Sequence, residues 1–338
     1  VNIKKRLKIF VLAFVVAIVC GGAVYAYTTY AAAEQAVSTV ASSGTIADIL
    51  KPEPLSGEST GVVNILIAGN SSDDANHGGA ELTDSIMVAR VTVSTGDVSV
   101  ISIPRDLWVS YEENYSKINA VYTKGGIEGL AQVVTEVTGL TINHKVLVNY
   151  AALKEAIDVV GGIDITIESP DTRGIYDPMI GFSIGNGLQH LSGEQALLLA
   201  RSRNDPTYDG RVPYGLPHGD FDRQMYQRRI IQALFDKVGS STKIVNPTTL
   251  TKLFESLSGN VSTDLSVGQI RRLYDLSKNT KTVASISLQK DESTGTSLLV
   301  DYRTSSGQAA LMPTEGIGMY SALQQYIASK SPVTTTQQ

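Results

Sequence analysis

The 338-residue chain has a single cysteine, Cys20, so no intrachain disulfide can form. That cysteine lies inside an apolar stretch, which leaves no thiol catalysis and no zinc–cysteine site. The four histidines, His77, His144, His190 and His218, have no metal-ligand spacing, and His77 alone stands in a polar loop where it could contact a ligand. Gly-x-Ser-x-Gly, His-Glu-x-x-His, P-loop and Gly-x-Gly-x-x-Gly signatures are missing. The formal net charge is −5, so no basic face is available for nucleic acid. No internal repeat is evident. The hydrophobic content of 42% suits a globular fold with a sizeable core.

One segment holds no charge at all. Residues 9–27 run from Ile9 to Tyr27 with only apolar residues, small residues and tyrosine. As a helix they span roughly 28 Å, close to a bilayer's hydrocarbon thickness of about 30 Å. Lys4, Lys5, Arg6 and Lys8 precede them, and Tyr25, Tyr27 and Tyr30 form an interfacial belt. By the positive-inside rule the N-terminus is cytoplasmic and the rest of the chain lies outside. A cleaved signal peptide is the competing reading. The expected organisation is a basic tail and transmembrane anchor over 1–30, a stalk over 31–60, one extracytoplasmic domain over 61–330 and a disordered tail over 331–338.

Within 61–330 strands and helices alternate. Strands are predicted over 62–68, 86–93, 98–103, 145–148, 163–167, 282–288 and 297–302. Helices are predicted over 126–137, 150–160, from the capping box Ser192-Gly-Glu-Gln195 through Ala200, and over 221–238, 250–257, 267–277 and 319–328. The fold class is α/β: an α/β/α sandwich around a central mixed sheet, preceded by the transmembrane helix. Residues 168–191, rich in Gly, Pro and Asp, read as a long binding loop.

The chemistry lies in five arginines on three polar islands: Arg105, the Arg201–Arg203 pair, and Arg223 with Arg228. Each island is joined to an apolar run, and arginine is rarely carried to the edge of a core without a partner. Two guanidinium groups about 4 Å apart repel by roughly 4 kcal/mol at an effective dielectric near 20. If the fold gathers the islands, an anion must hold them, and guanidinium suits bidentate phosphate. The islands are therefore read as a diphosphate site.

Arg105-Asp106 follows a strand directly, where open α/β sheets place ligands. Arg201 and Arg203, two apart in an extended segment, would face one way. Asp220 and Asp222 are candidate N-caps, and Arg223 and Gln227 share a helix face. Asp84 opens a strand, with Asp73 and Asp74 in the loop before it; carboxylates near phosphate usually carry Mg²⁺. Each feature also has a local reading: a turn-capping ion pair at Arg105-Asp106, compensation of a helix dipole at Arg201, an Asp–Arg surface pair at Asp222–Arg223, and a strand-start residue at Asp84.

In order, the chain carries Leu-Thr-Asp84-Ser-Ile-Met, Ser-Ile-Pro-Arg105-Asp106, Lys117-Ile-Asn119-Ala-Val-Tyr, Val-Val-Gly-Gly-Ile-Asp164, Leu-Ser-Gly-Glu-Gln-Ala-Leu followed by Ala-Arg201-Ser-Arg203, and Asp220-Phe-Asp222-Arg223 with Gln227. This series resembles the LytR-CpsA-Psr family over roughly residues 61–240, and the stretch to about 330 looks like the same domain's C-terminal part. The resemblance implies a Mg²⁺-assisted phosphotransferase outside the membrane. Such an enzyme moves a glycopolymer from a polyprenyl-diphosphate carrier to a peptidoglycan sugar hydroxyl. It implies phosphate binding by Arg105, Arg201, Arg203, Arg223 and Gln227, with Lys117 in reach of phosphate, and metal binding by Asp84. Asp106, Asp73 or Asp74 would accept the hydroxyl's proton. The implied partners are the lipid-linked glycopolymer, peptidoglycan and membrane lipid.

The chain departs from the family pattern at Gly69-Asn70-Ser71, where many members have Gly-x-Asp, at Leu82-Thr83-Asp84, where many have Arg-x-Asp, and at Tyr226, where many have arginine. Asp73, Asp74 or His77 would compensate. Two other readings of the anion site are a non-catalytic lipid-phosphate scaffold and a prenyl-diphosphate hydrolase.

Overall fold

The computed structural model describes residues 52–70, 82–204, 210–240, 260–277, 279–280, 283–291 and 293–331. The expected anchor over 9–27, most of the stalk, the helix over 250–257, the 332–338 part of the tail, and Asp73, Asp74 and His77 lie outside the described residues. Among the described residues no helix is long and apolar enough to cross a membrane. The chain divides into two compact units, one within Gly44–Asn149 and Val261–Gln338, the other holding Tyr150–Asn260.

The first unit is built on a mixed six-stranded sheet ordered β11-β6-β1-β2-β3-β12. Its strands are β1 (Val62–Asn70), β2 (Thr83–Thr92), β3 (Val98–Ser102), β6 (His144–Val148), β11 (Val261–Thr263) and β12 (Val283–Ser287). β1 is paired on both edges, antiparallel to β2 and parallel to β6. That central place explains its mostly apolar sequence, interrupted only by the buried Asn64 before Gly69, because Val63, Ile65, Leu66 and Ala68 are all fully buried. Sequence reading located β1, β2, β3 and β6 to within a few residues. The carboxyl ends of β1 and β3 and the amino end of β2 fall at the same end of the sheet.

The remaining strands of this unit were not foreseen as pairs. β4 (Trp108–Tyr111) and β5 (Asn114–Lys117) form a hairpin. Its turn residues are Glu112 and Glu113, both at positive φ, 49° and 63°. Such turns normally announce themselves with Asn-Gly or Asp-Gly, so this one carries no sequence signal. β13 (Leu299–Arg303) pairs with β14 (Ala309–Pro313). Helix α1 (Val121–Thr138) starts earlier than its sequence boundary, and Gly126 breaks it at φ 59°, ψ −160°. Helices α5 (Val267–Ser277) and α6 (Ser321–Lys330) complete the described part of the unit.

The second unit holds α2 (Tyr150–Val159), β7 (Ile163–Ile167), β10 (Gly187–Leu191), α3 (Gly193–Arg201) and α4 (Asp220–Ser240). β7 and β10 pair antiparallel. The α3 capping box forms as expected: Ser192 Oγ accepts from Gln195 N, and Gln195 Oε1 accepts from Ser192 N. The long loop expected over 168–191 is corrected. It contains a hairpin of β8 (Ile175–Asp177) and β9 (Phe182–Ile184), followed by β10. β8 and β9 are three residues each and are set among Gly- and Pro-containing turns, so alternation is not visible.

The chain enters the first unit through a histidine. His144 is buried at the start of β6, and its Nε2 accepts from the Ser56 amide at 3.0 Å. Its Nδ1 lies 3.4 Å from Asp264. Burial pushes the His144 pKa below its usual value near 6.5; Asp264 opposes this and Lys145 adds to it. The folded ring is therefore neutral where the unfolded one would take a proton. This stability is full above the unfolded pKa and declines as pH falls below about 6.5 toward the folded value. Melting curves between about pH 7.5 and pH 5 will show Tm falling with pH, and His144→Gln will flatten that dependence. An unchanged slope in His144→Gln would assign the acid sensitivity to other groups.

Candidate functional site

In the first unit, four of the expected site residues form one alternating chain of charge. β3 ends at Ser102, opposite Met87 of β2, and Ile103 N donates to Ile86 O at 2.9 Å. Extending that line past Pro104 carries Arg105 alongside Asp84, the second residue of β2. Arg105 Nη1 pairs with Asp84 Oδ1. Arg105 Nε lies 3.8 Å from Asp106 Oδ2, and Asp106 Oδ1 accepts from Lys117 Nζ at 2.6 Å. The order is carboxylate, cation, carboxylate, cation. Asp84 and Arg105 are the most enclosed, with side chains 6% and 14% exposed.

Backbone bonds hold this chain of charge in place. Asn119 N donates to Arg105 O at 3.2 Å, Leu311 N to Asp106 O at 2.9 Å, and Ile118 N to Leu107 O at 2.8 Å. Asn119 is buried, and its carbonyl accepts from Thr83 Oγ1 at 3.3 Å. The β4–β5 hairpin places Trp108 opposite Lys117, so Lys117 returns beside the Arg105-Asp106 turn. The Lys117 and Asn119 motif thus closes the site from the far side of the hairpin.

The Asp84 carboxylate has the chemistry of a hard-cation ligand. Asn70, buried, stands opposite Thr83 across an irregularity in the β1–β2 ladder, so a carboxylate and an amide share this end of the sheet. Oxygen donors of this kind fit a hard ion such as Mg²⁺, which needs only one or two carboxylates beside phosphate and water. Among the described residues no three His, Cys, Asp or Glu side chains gather as a ligand set.

In the second unit, the other expected residues surround the end of α3. Arg201 is its last residue, and its guanidinium lies over the Tyr150 ring, 5.1 Å from the centroid. Ser202 is fully buried and extended. Arg203 N donates to Asp177 Oδ2 at 2.7 Å, while Asp177 Oδ1 accepts from Met179 N at 3.0 Å. Gln227 Nε2 donates to Ala200 O at 3.0 Å, tying α4 to the same turn. Arg223, one turn before Gln227, is 3% exposed.

Two local expectations are corrected. Arg201 is helical, so the extended backbone expected to align Arg201 with Arg203 is confined to Ser202. Asp222 is not an N-cap: it lies inside α4, and its carboxylate reaches back to accept from His218 N at 2.8 Å. Sequence reasoning also missed Tyr150 and Asp177, which steady Arg201 and the Arg203 backbone. An aromatic at a helix start and an aspartate at the end of a three-residue strand carry no spacing signal.

Tyr226 explains one departure from the family pattern. Its ring is 1% exposed, and its hydroxyl accepts from Glu168 N at 3.2 Å. Arg229 lies over the same ring at 5.5 Å and pairs with Glu168 at 2.6 Å. Burial raises the Tyr226 pKa, keeping the hydroxyl neutral. The position serves packing in this chain.

The LytR_cpsA_psr family model matches residues 23–312. A Bacillus mycoides protein, the polyisoprenyl-teichoic acid–peptidoglycan teichoic acid transferase TagU, is 28% identical over 290 residues, covering 82% of this chain and 84% of its own. The probable cell wall biosynthesis protein LcpB of Corynebacterium glutamicum is 32% identical over 201 residues, 59% of this chain and 44% of its own. Among solved structures, protein gbs0355 of Streptococcus agalactiae has a TM-score of 0.63 at 21% identity, covering 83% of this chain and 91% of that one. TagV of B. subtilis has a TM-score of 0.59 at 24% identity, covering 80% and 96%. These two share the α/β fold with its central mixed sheet.

The Asp84–Arg105 pair is enclosed enough to couple strongly. Removing one partner of such a pair costs about 3 kcal/mol, because the other charge stays half-desolvated. Asp84→Ala and Arg105→Ala will each lower stability, and the double variant will lose less than their sum, with a coupling of about 1–3 kcal/mol. Urea unfolding of the four proteins measures this. Additive losses would dismiss the pair as an energetic unit.

Proposed function

The chain belongs to the LytR-CpsA-Psr family, and on that footing we propose that it transfers a glycopolymer from a polyprenyl-diphosphate carrier to a sugar hydroxyl of peptidoglycan. The acceptor oxygen attacks the phosphorus nearest the glycopolymer. A new phosphodiester forms, the bond to the bridging oxygen breaks, prenyl monophosphate leaves, and the hydroxyl's proton passes to an aspartate, Asp106 or one of Asp73 and Asp74. Phosphoryl transfer needs little covalent help from a protein, so catalysis is positioning and charge stabilisation.

The observation carrying this reading is the alternating Asp84–Arg105–Asp106–Lys117 chain at the sheet end, where an α/β fold takes its ligands. In the proposal, Arg105 and Lys117 hold phosphate oxygens while Asp106 keeps the two cations apart and aimed. Arg201, Arg203 and Arg223, with Gln227 bracing the end of α3, are further phosphate-binding residues that the family resemblance implies. Asp84 holds Mg²⁺, with Asp73 or Asp74 as further ligands. The ion supplies charge neutralisation on the phosphate oxygens when bound. A three-layer α/β/α arrangement, residues 9–27 as a membrane anchor and a working domain outside the membrane complete the proposal. A reporter fused after residue 338 will be active only on the extracytoplasmic side, and a cytoplasmic signal would end the topology.

Two measurements test the chemistry. Inorganic pyrophosphate with Mg²⁺ will raise Tm by mass action, equivalent to about 2.7 kcal/mol at a hundredfold excess over Kd. Arg203→Ala will lose most of that shift, and Asp84→Asn will lose its Mg²⁺ dependence. In turnover, release of prenyl phosphate from a lipid-linked glycopolymer will require a glycan acceptor. Release with water alone would make the protein a hydrolase; binding without release would make it a scaffold.

A further inference from the structure

The β8–β9 hairpin carries a feature that the phosphate chemistry leaves unused. β8 is paired on both edges. On one side Tyr176 stands opposite Ser183 of β9. On the other it exchanges two backbone bonds with Tyr214, at 3.0 and 3.1 Å. Cross-strand partners point to the same face, so Ser183, Tyr176 and Tyr214 form one row. The two tyrosine rings lie 5.4 Å apart at 35°. Arg173 caps the row, its guanidinium 3.8 Å from the Tyr214 centroid.

This row is rigid and preformed. Asp171 takes Arg173 Nε and Nη2 at 2.9 and 2.8 Å. Those bonds hold the half-buried Asp171 carboxyl down at about 2. Ser169 Oγ donates to Gly174 O and Gly215 O, at 2.8 and 3.0 Å. The backbones approach so closely that a Cβ on Gly215 would sit 2.2 Å from Gly174 O. Ser183 is exposed and Tyr176 half-buried, and serine is too short to cover the ring beside it. The row also offers a second tyrosine and a planar carboxylate–guanidinium pair.

We propose that this face is a sugar subsite, seating one pyranose ring of the acceptor glycan against Tyr176 above Ser183. An apolar ring face bordered by hydroxyl, carboxylate and guanidinium groups matches a sugar, which offers C–H bonds on its face and hydroxyls at its edge. The charge selects the acceptor. Asp171 and Arg173 neutralise each other, so the row suits an uncharged sugar backbone better than a phosphate-bearing polymer. The neighbouring residue Asp177 points to the opposite side of β8 and grips the Arg203 amide. One short strand thus links the sugar row to an arginine proposed to hold diphosphate. This inference rests on the transfer reading for the identity of the acceptor.

The test uses the full chain in detergent micelles, with soluble peptidoglycan glycan fragments stripped of glycopolymer as the probe. Tyr176→Ala and Ser183→Trp will each weaken fragment binding about tenfold and raise the acceptor KM by a like factor, while Tyr176→Trp restores binding. Ser183→Trp fills the space from an exposed position, so it reports even if Tyr176→Ala loosens the hairpin. All three variants will keep the pyrophosphate-induced Tm shift. Wild-type affinity for fragments in both blocking variants, no fragment binding by the wild type, or equal weakening toward lipid-free glycopolymer would overturn the subsite. Loss of the pyrophosphate shift in the wild type would instead overturn the phosphate reading.

Discussion

Arg105 and Asp84 meet at the end of the central sheet, where β3 leaves and β2 begins, and much of the site's geometry follows from that pairing. The pair joins two antiparallel neighbours beyond their last ladder bonds. It fixes the turn carrying Asp106, whose carbonyl receives Leu311 N and whose carboxylate receives Lys117. The hairpin that brings Lys117 back also sets Ile118 and Asn119, which bond to Leu107 and Arg105. A cation this enclosed must be partnered at every stage. Asp84 therefore serves two masters in the proposed enzyme: it partners Arg105, and it offers oxygen to a metal. Arrival of a diphosphate would give Arg105 a further anionic partner beside Asp84 and Asp106, and a metal would give Asp84 a further cationic one.

The second set of arginines is held differently. Arg201 rests on an aromatic ring, Arg203 is fixed through its backbone, and Arg223 is enclosed within α4's first turns. These contacts fix the segment that follows α3. Asp177 binds the amide of Arg203, so its carboxylate holds the backbone on which that guanidinium is mounted.

Much of this was legible in the sequence because burial on both faces leaves long apolar runs. β1, β2 and β3 and the α3 capping box were readable for that reason or through capping chemistry. The β4–β5 hairpin was not, since Glu112 and Glu113 adopt positive φ without glycine or asparagine. The β8–β9 hairpin was hidden by its length and by the glycines that its close backbone approaches require. Site residues in the polar islands stood out as arginines beside apolar runs. Tyr150, Asp177, Tyr176 and Tyr214 did not, because each acts through a partner distant in sequence or across a strand. Tyr226 differs from the family pattern for a packing reason visible only in three dimensions.

The central claim is that the Asp84–Arg105–Asp106–Lys117 chain is a phosphate site with a metal at Asp84. A crystal structure of the protein with a prenyl diphosphate bound tests it most directly. The account predicts Arg105 and Lys117 within hydrogen-bond distance of a phosphate, and a metal ion at Asp84. A diphosphate bound elsewhere, with Arg105 and Lys117 still held only by their carboxylates, would contradict it.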